Sequence, residues 1–223
     1  MAKRRELTYI IAFPSLTSQS VIVLTSQKSF TSSKPFEIRW HGRGGQGAIT
    51  AAKIVAQAAY LDGYHGVTAA PFFGAERRGA PVSASTRISR EPVLVVSQVE
   101  APDVVVVLDH TLLRYQEVTE GLLRGGWLVV NSWRKPGELG IKGGFNIATA
   151  DATGVCRELG LIVAGLTVVN TAILGALLRA TAIVGMQNVE NVIRERFSNS
   201  GADINVEAIR KTFDITELQV FRE

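Results

Sequence analysis

Sulfur is scarce in this 223-residue chain, which has one cysteine, Cys156, and two methionines. A single thiol excludes a disulfide framework. It also excludes an iron–sulfur cluster or a cysteine-ligated zinc site built by this chain alone, and such cysteine usage points to the cytoplasm. Long membrane-spanning runs are missing too. The nearest, "GLIVAGLTVVNTAILGALL", is interrupted by Gly, Thr and Asn and followed by Arg179, which suits a buried helix. No G-x-S-x-G elbow and no Walker sequence occurs. His41, His65 and His110 have no Glu or Cys at ligand spacing, so no metal site is expected, and Cys156 reads as a small buried hydrophobe. No residue stands out as catalytic.

An excess of one charge sign is also lacking over most of the chain. The net charge is +4, and residues 1 to 34 account for all of it, with Lys3, Arg4, Arg5, Lys28 and Lys34 against Glu6. The remainder carries 19 charges of each sign and has no phosphate-tracking stripe, so nucleic acid is not an expected partner. The first 34 residues are rich in Ser and Thr and read as a weakly ordered extension. A frayed arm, a small added hairpin or an upstream start are the alternatives. Its "KRR" followed by "LTYIIAF" mimics a signal peptide, but the apolar run is short and lacks a small-x-small cleavage site.

What is present, from Pro35 onward, is an alternation of two periodicities. "FEIRWH" alternates at period two, and "AITAAKIVAQAAYLDG" then places Ile49, Ala52, Ala56 and Ala59 on one helical face and closes at Gly63. Further strand-like runs are "HGVTAA", "VSASTRIS", "PVLVVS", "DVVVVLD", "GWLVVNS" and "FNIATA", with the helix-like "HTLLRYQEVTEGLL" between two of them. Continuous runs such as "VVVVL" suit strands buried on both faces of a parallel sheet. The C-terminal part turns helical in "VVNTAILGALLRATAIVG", "NVENVIRERFS" and "NVEAIRKTFD", with Asn188 and Asn205 placed as N-caps. The expected fold is α/β, a three-layer Rossmann-like sheet, mixed or mainly parallel, with C-terminal helices, formed by residues 35 to 223.

Between the first of these strands and its helix, Gly42, Gly44 and Gly47 satisfy G-x-G-x-x-G, with Gly45 in addition. Glycines let the backbone turn tightly beside an anion, and the free amides of the helix start attract negative charge. A nicotinamide site needs an acid about 20 residues further on. "HGVTAAPFFG" offers none there; Asp62 comes too early, and Glu76 comes late and precedes Arg77 and Arg78. Those arginines either accept a ribose phosphate, as in NADP or coenzyme A, or form ion pairs in a subunit interface. Arg43 and Gln46 either meet a ligand or lock the loop to a neighbour. Asp109, ending the "VVVVLD" strand, reads as a helix cap. Phe72 and Phe73 belong either to the core or, in the preferred reading, to an interface patch.

Taken in order, "HGRGGQGAITAAKIVAQAAYLDG", "FFGAERRGAPVSASTRIS", "PDVVVVLD", "DATGVCRELG" and "VVNTAILGALL" resemble the gamma subunit of 2-oxoacid:ferredoxin oxidoreductases of the pyruvate and 2-ketoisovalerate type. Indolepyruvate and 2-oxoglutarate relatives usually carry a glycine pair after the arginine of the second motif, whereas this chain reads Arg78-Gly79-Ala80-Pro81. The resemblance implies a subunit inactive alone. Its complex oxidatively decarboxylates pyruvate or a branched-chain 2-oxoacid to acyl-CoA and passes electrons to ferredoxin. Thiamine diphosphate and magnesium are then expected on alpha and beta subunits, and iron–sulfur clusters on a delta subunit. For this chain it implies contact with coenzyme A by Gly42, Arg43, Gly44, Gly45, Gln46, Gly47, Glu76, Arg78 and Gly79, or docking of partners by the same segments. An NADP-type reductase and a purely structural assembly subunit are the competing readings.

Overall fold

The computed structural model describes residues 22–24, 34–72, 79–95, 97–163, 165–197 and 199–222. Strand β1 (Ile22–Leu24) is the described part of the N-terminal segment that forms regular structure. β2 (Phe36–Arg43) leads into α1 (Ala48–Leu61), and β3 (Gly66–Phe72) and β4 (Pro81–Ser89) follow. β5 (Val104–Val107), β6 (Trp127–Asn131) and β7 (Asn146–Ala150) come next, then α2 (Ala152–Glu158) and a small hairpin of β8 (Ile162–Val163) and β9 (Leu166–Thr167). The chain closes with α3 (Ala172–Thr181), α4 (Met186–Arg196), α5 (Asn199–Ile215) and β10 (Glu217–Gln219).

The sheet has the order β1-β3-β4-β2-β5-β6-β7-β10. The central strands β2, β5, β6 and β7 are parallel, while β4, β3 and β1 on one side and β10 on the other run antiparallel to their neighbours. The sheet is therefore mixed, as the periodicities imply. Val104 to Val107 are wholly buried, which is what an unbroken valine run in a central parallel strand requires.

The two faces are covered unequally. Ile38 and Trp40 join Val104, Val106, Val129 and Ala148 in one core that packs against all five helices. On the other face Val105, Val107, Leu128, Val130 and Ile147 pack under Leu112 and Val118. That layer is thin: its helical pieces are three 3-10 turns, His110–Arg114, Gln116–Val118 and Pro136–Leu139. "HTLLRYQEVTEGLL" thus makes 3-10 turns where a longer helix was expected.

Two other local expectations fail for reasons that sequence-local patterns do not carry. The described residues of "PVLVVS" form no strand, and the Val95 and Ser97 carbonyls accept instead from the buried Arg87 guanidinium. Neither Asn188 nor Asn205 is an N-cap. α4 starts at Met186 after Gly185, whose amide donates to Asp62 Oδ2 from the end of α1 at 2.6 Å. Asn205 lies inside α5, where it accepts from Thr171 Oγ1 and donates to the Gly201 carbonyl. α3, by contrast, is buried along its length, from Ala172 to Leu178, as its apolar run suggests.

Candidate functional site

β2 carries its pairing with β4 up to Arg43, opposite Pro81, and the chain then turns sharply into α1. The turn is closed by the Gln46 amide donating to the Arg43 carbonyl (2.9 Å), and Gly45 and Gly47 both adopt positive φ, 95° and 80°. Gly44 donates to the Ala80 carbonyl (2.9 Å), while Gly79 donates back to Gly44 (3.2 Å). The strand pairing thereby draws Gly79 onto the loop. Of the nine residues expected in the site, Gly42, Arg43, Gly44, Gly45, Gln46, Gly47 and Gly79 are brought together. Glu76 and Arg78, like Phe73, lie outside the described residues. Phe72 is half-buried.

The side chains of the loop are occupied within the fold. Gln46 Oε1 accepts from the Arg43 amide at 2.8 Å. The Arg43 guanidinium donates through Nε to Asp109 Oδ2 (2.6 Å), through one Nη to the Gly79 carbonyl (3.1 Å) and through the other to Thr111 Oγ1 (2.9 Å). Asp109 caps the first 3-10 turn by accepting from the Thr111 amide and hydroxyl. Burial pushes the Asp109 carboxyl up, but the Thr111 bonds and Arg43 outweigh it and hold the group below its usual range. Arg43 is thus a bracket tying three segments together at the carboxyl end of the parallel strands. Asn131 adds another tie, donating to the Leu108 carbonyl and Thr153 Oγ1, both at 2.8 Å.

The start of α1 has neither a side-chain cap nor an acid of its own, and Gly47 occupies the N-cap position. First-turn amides have no intrahelical acceptor and, with the helix dipole, favour an anion. The sequence pattern foretold the loop and Asp109. It could not foretell Asn170, which lies 2.5 Å from where a Cβ on Gly47 would stand, since no local signal links the two.

Below the loop, His41 Nε2 accepts from Arg39 Nε at 3.1 Å. Burial, helped by the Arg39 charge, lowers its pKa to about 4, so the ring is neutral and its proton resides on Nδ1. The unfolded chain titrates near 6.5, so above that pH both states are neutral and His41 contributes no pH dependence. As pH falls from about 6.5 to about 4 the unfolded chain takes up the proton and the fold does not. Stability should drop by up to about 3 kcal/mol across that window. Urea unfolding at pH 7, 5.5 and 4 checks this, and His41→Gln should flatten the slope.

The remaining candidates fall away from the rim. Cys156 is buried and its thiol is pushed up to about 12, by burial first and Asp151 second. Among the described residues no group of His, Cys, Asp and Glu could hold a metal ion, and no helix is long and apolar enough to cross a membrane. A cleft of about 620 Å³ lies at the opposite end of α1, lined by Asp62, Tyr64, His65, Arg90 and Ile183 among others.

Comparison with known proteins bears on this geometry. Residues 37–215 match the family described as pyruvate ferredoxin/flavodoxin oxidoreductase. The chain is 47% identical over 183 residues to the pyruvate/ketoisovalerate oxidoreductases common subunit gamma of Thermococcus litoralis, covering 81% of this chain and 96% of that one. It is 43% identical over 178 residues to the pyruvate synthase subunit PorC of Methanocaldococcus jannaschii, covering 80% and 95%. The crystal structure of pyruvate oxidoreductase subunit PORC from Thermotoga maritima superposes with a TM-score of 0.72 at 38% identity, covering 84% of this chain and 99% of that one.

Proposed function

The chain belongs to the pyruvate ferredoxin/flavodoxin oxidoreductase family, as a gamma-type subunit of a multi-subunit 2-oxoacid oxidoreductase, and from that premise we propose what it contributes to the reaction. The complex removes carbon dioxide from pyruvate or a branched-chain 2-oxoacid. The acyl group passes to the thiol of coenzyme A, and two electrons leave for ferredoxin. The carbanion formed on decarboxylation needs thiamine diphosphate, which with its magnesium belongs to alpha and beta partners, and the electrons need iron–sulfur clusters on a delta partner. The residues of this chain fit neither group: its one thiol is buried and protonated, and its described acids form no metal cluster. The assembly works in the cytoplasm. An NADP-type reductase has no place within this family.

This subunit's part is to receive an anionic phosphate of coenzyme A at the rim that faces the catalytic partners. The observation that carries the reading is the start of α1, without a side-chain cap or an acid, on a loop bonded to Gly79 at the carboxyl end of the parallel strands. In that arrangement the Gly42 to Gly47 backbone offers the amides. Gln46 fixes the turn, and Arg43 positions the loop through Asp109, Gly79 and Thr111. Glu76 and Arg78 enter by their place in the chain directly before Gly79, with Arg78 as the charge for the phosphate.

In the reconstituted complex, Arg78→Ala should raise the KM for coenzyme A about 10-fold or more, the worth of one lost charge-assisted contact. Decarboxylation that depends on the 2-oxoacid alone should stay near the wild-type rate. An unchanged requirement for coenzyme A removes the binding role and leaves the rim as a docking edge.

A further inference from the structure

The first turn of α1 has donors to spare. The Ala51 amide donates to the Gly47 carbonyl at 3.0 Å, while the amides of Ala48, Ile49 and Thr50 have no acceptor among the described residues. Every helix start has such amides, and by themselves they select nothing.

Asn170 sets this helix start apart. It comes from the segment between β9 and α3, far along the chain, and is only 7% exposed. Its Oδ1 accepts from the Thr171 amide at 2.8 Å. A backbone amide can only donate, so the atom bonded to it is the oxygen, and the side-chain nitrogen takes the other side. Gly47 lies on that other side, where a Cβ would stand 2.5 Å from Nδ2. Nδ2 carries two protons and has no acceptor among the described residues. It is not sealed in either. The fully buried side-chain atoms without a partner, among the described residues, are Thr68 Oγ1, Ser85 Oγ, Glu91 Oε2 and Thr212 Oγ1, so Nδ2 meets open space. The loop reaches the surface at the same place, with Gly45 exposed and Gly44, Gln46 and Gly47 half-buried.

The amide is held in position from behind. Thr171 Oγ1 donates to Asn205 Oδ1 at 2.5 Å, and Asn205 Nδ2 donates to the Gly201 carbonyl at 2.7 Å inside α5. A donor fixed before its ligand arrives loses little entropy on binding. A deeply buried amide without an acceptor is costly, which gives Nδ2 a reason to bind one. The groups left over at this helix start are donors, and no acid stands among them. Arg43 is already bonded to Asp109, Gly79 and Thr111. Neutral donors converging beside a helix start take an anion.

We propose that the side-chain amide of Asn170 is part of the anion seat at the start of α1, its Nδ2 donating to the phosphate that the amides of Ala48, Ile49 and Thr50 hold. The inference rests on the reading of this rim as a phosphate site and adds a residue that the glycine motif does not contain.

The test follows the isotope-labelled full chain by NMR as inorganic phosphate replaces chloride at constant ionic strength. Phosphate should move the Asn170 side-chain amide resonances together with the backbone amides of Ala48 to Thr50, and should raise the melting temperature of the chain. Asn170→Ala should weaken phosphate binding about 10- to 100-fold, the worth of one hydrogen bond to a charged group. Asn170→Asp keeps an oxygen for the Thr171 amide and puts a carboxylate in place of the donor, so it should weaken binding at least as much. In the reconstituted complex both variants should raise the KM for coenzyme A about 10-fold or more, with 2-oxoacid-dependent decarboxylation unchanged. Asn170 resonances unmoved by phosphate overturn the proposal, and this wild-type titration decides even if a variant fails to fold. Wild-type phosphate affinity in both variants overturns it too. Loss of phosphate binding with an unchanged KM for coenzyme A upholds the seat and overturns only the reading of its anion as coenzyme A.

Discussion

Gly47→Ala should destabilise the chain by about 3 to 4 kcal/mol, lowering its melting temperature by roughly 10 °C. Two costs add. Gly47 has φ of 80°, a left-handed conformation that costs an L-residue about 1 to 2 kcal/mol. A Cβ there would stand 2.5 Å from Asn170 Nδ2 and 2.8 Å from Asn170 Cβ, and a clash with a Cβ cannot be relieved by rotating a side chain. Asn170 is buried and accepts from the Thr171 amide, so moving it disturbs the entry to α3; overpacking of this kind costs about 1 to 3 kcal/mol. Gly79→Ala separates the two terms, since Gly79 has the same φ of 80° with open space around it and should lose only about 1 kcal/mol. Gly47→Ala combined with Asn170→Gly should recover the steric share. Thermal unfolding of the three variants checks the scheme; equal losses at Gly47 and Gly79 would show that Asn170 does not confine the loop.

The contrast between these glycines also marks what can be read from the chain alone. The motif announces that Gly47 turns the backbone, because the spacing of glycines between a strand and a helix is a local pattern. Its second reason, the approach of Asn170 from more than a hundred residues away, leaves no local trace. The same division runs through the fold. "VVVVL" and "FEIRWH" betray their strands because burial on two faces or one sets a period. The helix of "AITAAKIVAQAAYLDG" is equally plain. α4 instead starts from Gly185, whose amide donates to Asp62 across the structure, and Asn205 accepts from Thr171 inside the fold, so rules that search the sequence just before an apolar run choose the wrong asparagines. The Arg43 bracket was half legible. The loop and Asp109 could each be picked out, but only the parallel pairing of β2 with β5 brings them to 2.6 Å.

The polar side of β2 was legible as a period and misleading as an environment. Alternation puts Glu37, Arg39 and His41 on one side, the side that a half-solvated strand would show to water, yet Arg39 is only 6% exposed. Among the described residues no carboxylate is bonded to its cation, which is solvated instead by the carbonyls of Val99, Glu117, Val118 and Glu120. Burial lowers its pKa, with Glu120 opposing. Arg39→Met should therefore cost about 3 kcal/mol or more, because at least two buried carbonyls lose their donor. The loss should be local in character. Amide exchange should accelerate from residues 97 to 100 and 115 to 121 while β5 and β6 keep their protection, since the valine ladder does not involve Arg39. His41 should titrate above pH 4, having lost an adjacent positive charge, and the fall in stability between pH 6.5 and 4 should shrink. Exchange rates unchanged in both segments would mean that the carbonyls find other donors, and the view of Arg39 as the post that holds these two segments would have to be given up.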